Sequence, residues 1–264
     1  MAITRPYVSV ADDQTIVLNL VRALAVVAGA FLFAGLFGQL GAALLGAEIP
    51  LDAASMSAGA YAAVNAISFV GFVLAAIAFV QVRGEAKLLH LRRPELSDLA
   101  WTVVGLLGIA VGAFVMGFVV EALSIVVEAL SGSEVQTGQN SIITAGRANP
   151  TLLLYMIPVA LFFVGPAEEI VFRGVVQGLF RESFGVVPGI VAASALFGVG
   201  HYLAISSGSA WTYILTAGAL GLVLGTVYEY SENIAVPAVA HGLWNSTIFI
   251  VNYYAVTAGV ALPT

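Results

Sequence analysis

Long apolar runs alternate along this chain with short polar segments. A helix needs about 20 apolar residues to cross a bilayer. Seven runs meet that length or approach it, at about 16–45, 59–82, 99–130, 151–180, 188–205, 210–228 and 234–258. Several are longer than about 25 residues, which predicts tilt, kinks or an additional short membrane segment. The expected fold class is therefore all-α, a polytopic transmembrane helix bundle of about seven to eight spans. The pattern divides the chain into a polar tail (1–15), N-terminal transmembrane helices (16–130), an external loop (131–150) and a transmembrane core (151–264). No internal repeat is evident.

Composition agrees with this reading. Of the 264 residues 60% are hydrophobic and 9% charged, against about 25% charged in soluble proteins. The 28 glycines suit close helix contacts in lipid. The absence of cysteine excludes disulfides and thiolate chemistry. The net charge of −6, with no basic patch, argues against a nucleic-acid partner. Membrane lipid is the expected surroundings.

Lys and Arg set orientation. The segment VRGEAKLLHLRRPELSD carries Arg83, Lys87, Arg92 and Arg93 and is expected in the cytoplasm. Arg5, Arg22 and Arg181 fall on the same side, and the loop before the fourth span carries Arg147 alone. The chain is thus expected in the cell membrane with its N-terminus cytoplasmic and its C-terminus outside.

Six polar residues interrupt the apolar runs of the second half: Glu168, Glu169, Arg173, His201, His241 and Asn245. Ionisable groups at membrane depth are costly and mark function. Helix rise places Glu168 roughly 18 Å, His201 roughly 20 Å, and His241 and Asn245 roughly 10 and 16 Å from the inner ends of their spans. Three packed helices would bring them into one polar cavity, expected to open toward the cytoplasm. Glu169 and Arg173, four residues apart, share a helix face and can pair, leaving Glu168 free. Phe197 shares a face with His201, and His241 with Asn245. The Gly165–Pro166 step is expected to break the fourth span and set both carboxylates near a new helix N-terminus. Glu121, Glu128, Glu229 and Glu232 read as solvated groups and His90 as a surface residue.

At these residues the chain resembles the CAAX protease and bacteriocin-processing family, the type II CAAX prenyl endopeptidases. Its three signatures read here as EEIVFR (Glu168 to Arg173), FGVGH (Phe197 to His201) and HGLWN (His241 to Asn245), in order on successive apolar segments. The resemblance covers about residues 155–249, and the first three spans carry no motif. It implies an intramembrane endopeptidase acting on membrane-associated protein or peptide substrates, with prenylated ones among the open classes. Glu168 would activate water with help from His201, His241 and Asn245 would hold the oxyanion, and Glu169, Arg173 and Phe197 would orient the site.

Cofactor use stays open between two readings. Glu168, His201 and His241 match the ligand count of a catalytic zinc site, but no H-E-x-x-H is present, and a metal-free mechanism is favoured. A proton-coupled transporter and a non-catalytic scaffold or immunity-type protein are the rival functions. A transporter would string acidic groups along a path, whereas here they cluster.

Overall fold

The computed structural model describes residues 6–46, 56–84 and 86–260, with the backbone alone at 86 and 87. Arg5 and the Lys87 side chain, counted above for orientation, lie outside them. The chain forms α1 (Asp13–Leu44), α2 (Ala58–Arg83), α3 (Leu96–Ser131), the two-residue β1 (Gln139–Asn140) and the short α4 (Ser141–Ala148). It continues with α5 (Pro150–Phe184), α6 (Val186–Gly200), β2 (Ile205–Ser207), α7 (Ala210–Ser231) and α8 (Ala235–Ala258).

Local chemistry fixes the helix ends. The side chains of Asp12, Ser57 and Asn140 accept backbone N–H bonds at the starts of α1, α2 and α4, satisfying donors that a helix leaves unpaired. Glu95 and Asp98 close α3 with a reciprocal capping box.

Six helices (α1–α3, α5, α7, and α6 with its extension to Ala204) are long and apolar enough to cross a membrane. The seventh expected span is present as α8, a 24-residue helix whose His241, Asn245 and Asn252 lower its hydropathy. No further long helix occurs among the described residues. The chain is a multi-pass membrane helix bundle.

Helix α5 is the core. It is 44% buried over its most apolar window, against 17% for α3. Its Val171, Val175, Val176 and Leu179 are fully buried against α1, α2 and α6. Lipid-facing helices such as α3 instead leave Leu107, Val111, Phe114 and Phe118 exposed, since apolar side chains need no cover in hydrocarbon.

The two ends of the bundle are tied differently. At one end the chain before α1 hydrogen-bonds the α5–α6 turn, Ser9 N–H to the Phe184 carbonyl and Val187 N–H to the Tyr7 carbonyl. Tyr228 donates to the Leu88 carbonyl at the same end, where Arg92 also pairs with Asp98 at 2.6 Å. At the other end β1 and β2 pair antiparallel, and Asn140 Nδ2 donates to the Tyr213 hydroxyl at 2.7 Å. The 131–150 segment, expected as a loop, thus folds into a strap of β1 and α4. Asn140 both caps α4 and holds Tyr213.

The expected break at Gly165–Pro166 does not occur. Helix α5 runs through it with Gly165 at φ −52° and ψ −57°. Two wide π segments, Ala160–Val164 and Ile170–Gln177, flank the short stretch Gly165–Glu169. Pro158 and Pro166 each remove a helix hydrogen bond. Wide turns absorb that loss and are frequent at functional sites. The carboxylates therefore owe nothing to a helix N-terminus.

Gly165 is needed because α8 crosses there. A Cβ would lie 2.6 Å from the Ala238 carbonyl oxygen and 3.0 Å from the Gly242 nitrogen. Neither backbone atom can move without moving α8. Gly165→Ala is expected to destabilise the protein by about 1–3 kcal/mol, the usual cost of overpacking. Thermal unfolding in detergent measures it; an unchanged midpoint would refute this account of the crossing.

Candidate active site

Glu169 is the anchor of the site. It is fully buried, and Arg173 is 1% exposed. Its Oε2 lies 3.1 Å from Arg173 Nε, the expected i, i+4 pair. Its Oε1 accepts from His241 Nδ1 at 2.9 Å, a contact between α5 and α8 that sequence spacing does not reveal. A carboxylate cannot donate, so Nδ1 carries the proton and Nε2 points the other way. The Arg173 guanidinium donates to the Gly221 carbonyl at 3.3 Å. It also lies 4.1 Å from the centre of the Phe197 ring, a cation–π contact strengthened by burial.

Phe197 links the parts. It is 2% exposed, and its ring centre is 4.4 Å from that of His201 and 5.9 Å from that of His241. Its carbonyl oxygen lies 2.9 Å from His201 Nδ1. A carbonyl only accepts, so the His201 proton is on Nδ1 and Nε2 is free to accept.

Glu168 faces both free nitrogens. Its Oε2 is 3.8 Å from His241 Nε2 and 4.0 Å from His201 Nε2. That oxygen is buried without a hydrogen-bond partner among the described residues. Two hydrogen bonds of about 2.8 Å meeting near a right angle span about 4 Å, so the separations suit one small oxygen species between carboxylate and imidazole. Zinc fits less well. Ligands at about 2.0–2.1 Å in tetrahedral array sit about 3.4 Å apart. No group of three or more His, Asp or Glu side chains reaches metal-binding geometry among the described residues.

These groups line a cavity of about 670 Å³ together with Asn245, Trp244 and Tyr213, a size suited to a ligand. Asn245 is half-buried. The structure thus brings Glu168, His201, His241 and Asn245 to one cavity, with Glu169, Arg173 and Phe197 behind them. The sequence reading expects access from the basic end, whereas the residues that line the cavity extend to the opposite end of the bundle. Its wall includes Gly138 to Ile143, Leu203 and Ala204, all at the strap end. The helix-rise argument fixed depth and left the direction of access undetermined.

Other expectations change as well. Glu229 is not merely solvated, since Arg181 donates to it at 2.9 Å. His90 is half-buried, its ring centre 5.7 Å from that of Tyr228. Glu128 accepts from the Val135 N–H at 2.7 Å, while Glu121 and Glu232 are exposed as expected. Ser246 donates to the Gly242 carbonyl at 2.7 Å and is not paired with a base. Tyr213 and Asn140 were missed. An Asn before a helical stretch is a capping signal, but nothing local to Tyr213 marks it.

Fold and site define a multi-pass helical membrane protein with a buried two-carboxylate, two-histidine centre. Residues 150–247 match the family model described as Type II CAAX prenyl endopeptidase Rce1-like. The chain is 26% identical over 203 residues to the membrane-embedded CAAX protease MroQ of Staphylococcus aureus (strain USA300), covering 71% of this chain and 74% of that protein. It is 30% identical over 104 residues to the uncharacterized protein YpbD of Bacillus subtilis (strain 168), covering 39% of this chain and 47% of that protein. No solved structure gives a significant match. The family-model match and the similarity to a protein named as a membrane-embedded CAAX protease bear out the resemblance carried by the three motifs.

Proposed function

We propose that the chain is an intramembrane endopeptidase that hydrolyses peptide bonds with a water activated by Glu168 and His201, without a metal. The supporting observation is Glu168 Oε2 facing the two imidazole Nε2 atoms at 3.8 and 4.0 Å. A water between Glu168 and His201 meets two acceptors. Its oxygen attacks the carbonyl carbon while Glu168 takes its proton. His241, protonated on both nitrogens, would donate Nε2–H to the oxyanion beside the Asn245 amide. Glu169 stabilises that imidazolium through Nδ1. With both carboxylates ionised, Arg173 and protonated His241 leave the cluster neutral, which limits the cost of burying it. Glu168 then returns the proton to the leaving amine as the C–N bond breaks. Carboxylate and amine are the products, and no covalent intermediate forms.

Comparing peptide termini in membranes from cells bearing wild-type protein and Glu168→Ala tests the activity. Cleavages lost with the variant support the reading; an unchanged set overturns it. Asn245→Ala is expected to lower turnover by about 100- to 1000-fold, the scale for one oxyanion donor, with little change in substrate affinity. Loss of affinity at unchanged turnover would remove Asn245 from the oxyanion site. Strong chelators should leave activity intact. Inactivation reversed by zinc would instead assign Glu168, His201 and His241 as its ligands.

A further inference from the structure

Asn140 is held at both ends of its amide. Its Oδ1 accepts the N–H groups of Ile142 and Ile143 at 2.9 and 3.3 Å, capping α4. With the oxygen fixed there, Nδ2 faces α7 and donates to the Tyr213 hydroxyl at 2.7 Å. The roles cannot be exchanged, because a flipped amide would set its own N–H groups against two backbone donors. Tyr213 therefore accepts through its oxygen and keeps its one proton. No acceptor for that proton occurs among the described residues.

Tyr213 belongs to the cavity wall. Its ring centre is 6.0 Å from that of His201, the imidazole that faces Glu168 at 4.0 Å. The strap fits closely against it: a Cβ on Gly138 would lie 2.9 Å from Tyr213 Cβ, and the Gly138 N–H donates to Thr212 Oγ1 at 2.8 Å. The strap is also fastened apart from Tyr213, by the Thr144 and Ser206 hydroxyls at 2.8 Å. A hydroxyl that served only to fasten the strap would use its oxygen alone. The proton of a half-buried phenol is costly to leave unpaired and calls for an acceptor.

We propose that Tyr213 is a substrate-holding residue, whose hydroxyl donates to a carbonyl oxygen of the polypeptide in the cavity alongside the Glu168–His201 pair, and that Asn140 is the positioning residue that leaves its proton free to do so. A polypeptide carries one such acceptor at every residue. The carbonyl is not the scissile one, so the bond is equally strong before and during reaction and contributes to binding rather than to turnover. The identity of the acceptor rests on the protease reading above; the sense of the Asn140–Tyr213 bond does not.

Tyr213→Phe removes the hydroxyl and keeps the ring. For a peptide whose cleavage depends on Glu168, it should raise KM by about 2- to 10-fold, the usual contribution of one hydrogen bond, with turnover and the detergent unfolding midpoint near wild type. An unchanged KM overturns the proposal. A fall in turnover at unchanged KM overturns it too, since that would set the hydroxyl on the reacting carbonyl. Asn140→Asp keeps a good helix cap but replaces the donor by an acceptor. It should draw the Tyr213 proton away from the cavity and raise KM alike. Added to Tyr213→Phe it should change KM no further, and additive losses would overturn the positioning role of Asn140. If no peptide depends on Glu168, the protease reading fails and the substrate assignment with it. Raman spectra test the sense of the bond independently of activity. The tyrosine ring doublet that Tyr213→Phe removes should report a hydroxyl that accepts in the wild type and donates in Asn140→Asp. A donating hydroxyl in the resting wild type overturns the proposal whatever the activity.

Discussion

Glu168→Gln should leave the protein folded and reduce peptide cleavage by about 100- to 10,000-fold, the contribution of a positioned general base. The side chain is 15% exposed and makes no bond to another helix that the amide would break; its nearest partners are the two imidazoles at 3.8 and 4.0 Å. Glutamine keeps the shape and cannot take the proton. Detergent thermal unfolding and turnover should therefore separate, with the midpoint near wild type. A variant retaining near-wild-type turnover would remove Glu168 from its role as base. His201→Gln should mimic it more weakly if His201 only assists.

Glu169→Gln should instead lose both stability and activity. Breaking a buried ion pair by removing one partner costs about 3–5 kcal/mol, because the other charge stays buried. Arg173, 1% exposed, would keep its guanidinium between Phe197 and the Gly221 carbonyl with no counter-charge on Glu169. His241 would lose the carboxylate that stabilises its imidazolium, so cleavage should fall even in the folded fraction. Replacing both Glu169 and Arg173 by apolar residues should cost less stability than the sum of the single changes. Additive losses would show that the pair is not the source of the cost. Equal losses of stability in Glu168→Gln and Glu169→Gln would refute the division of labour between the adjacent carboxylates.

The pairing of Glu169 with Arg173 was legible in the chain because helix geometry is local. Glu169 and Arg173 are four residues apart, and the wide turns of α5 still bring them to 3.1 Å. The His201 and Asn245 positions were found for a related reason, since a polar residue inside an apolar run stands out without any knowledge of its neighbours. The Gly165–Pro166 step misled because proline forbids one hydrogen bond without dictating how the helix compensates. A wide turn and a new helix start both satisfy that constraint, and packing against α8 at Gly242 selected the first.

The sequence by itself determined that the chain is a membrane helix bundle, which end is basic, and which polar side chains interrupt its apolar runs. Hydrophobicity, charge and residue spacing are properties of single segments, and hydrocarbon enforces them on each segment separately. The tertiary structure alone decided that Glu169 holds His241 across two helices, that Asn140 and Tyr213 fasten a strap beside the site, and that the cavity meets the strap end. Those outcomes depend on how helices rotate and close against one another, and no segment holds that information until its neighbours are packed around it.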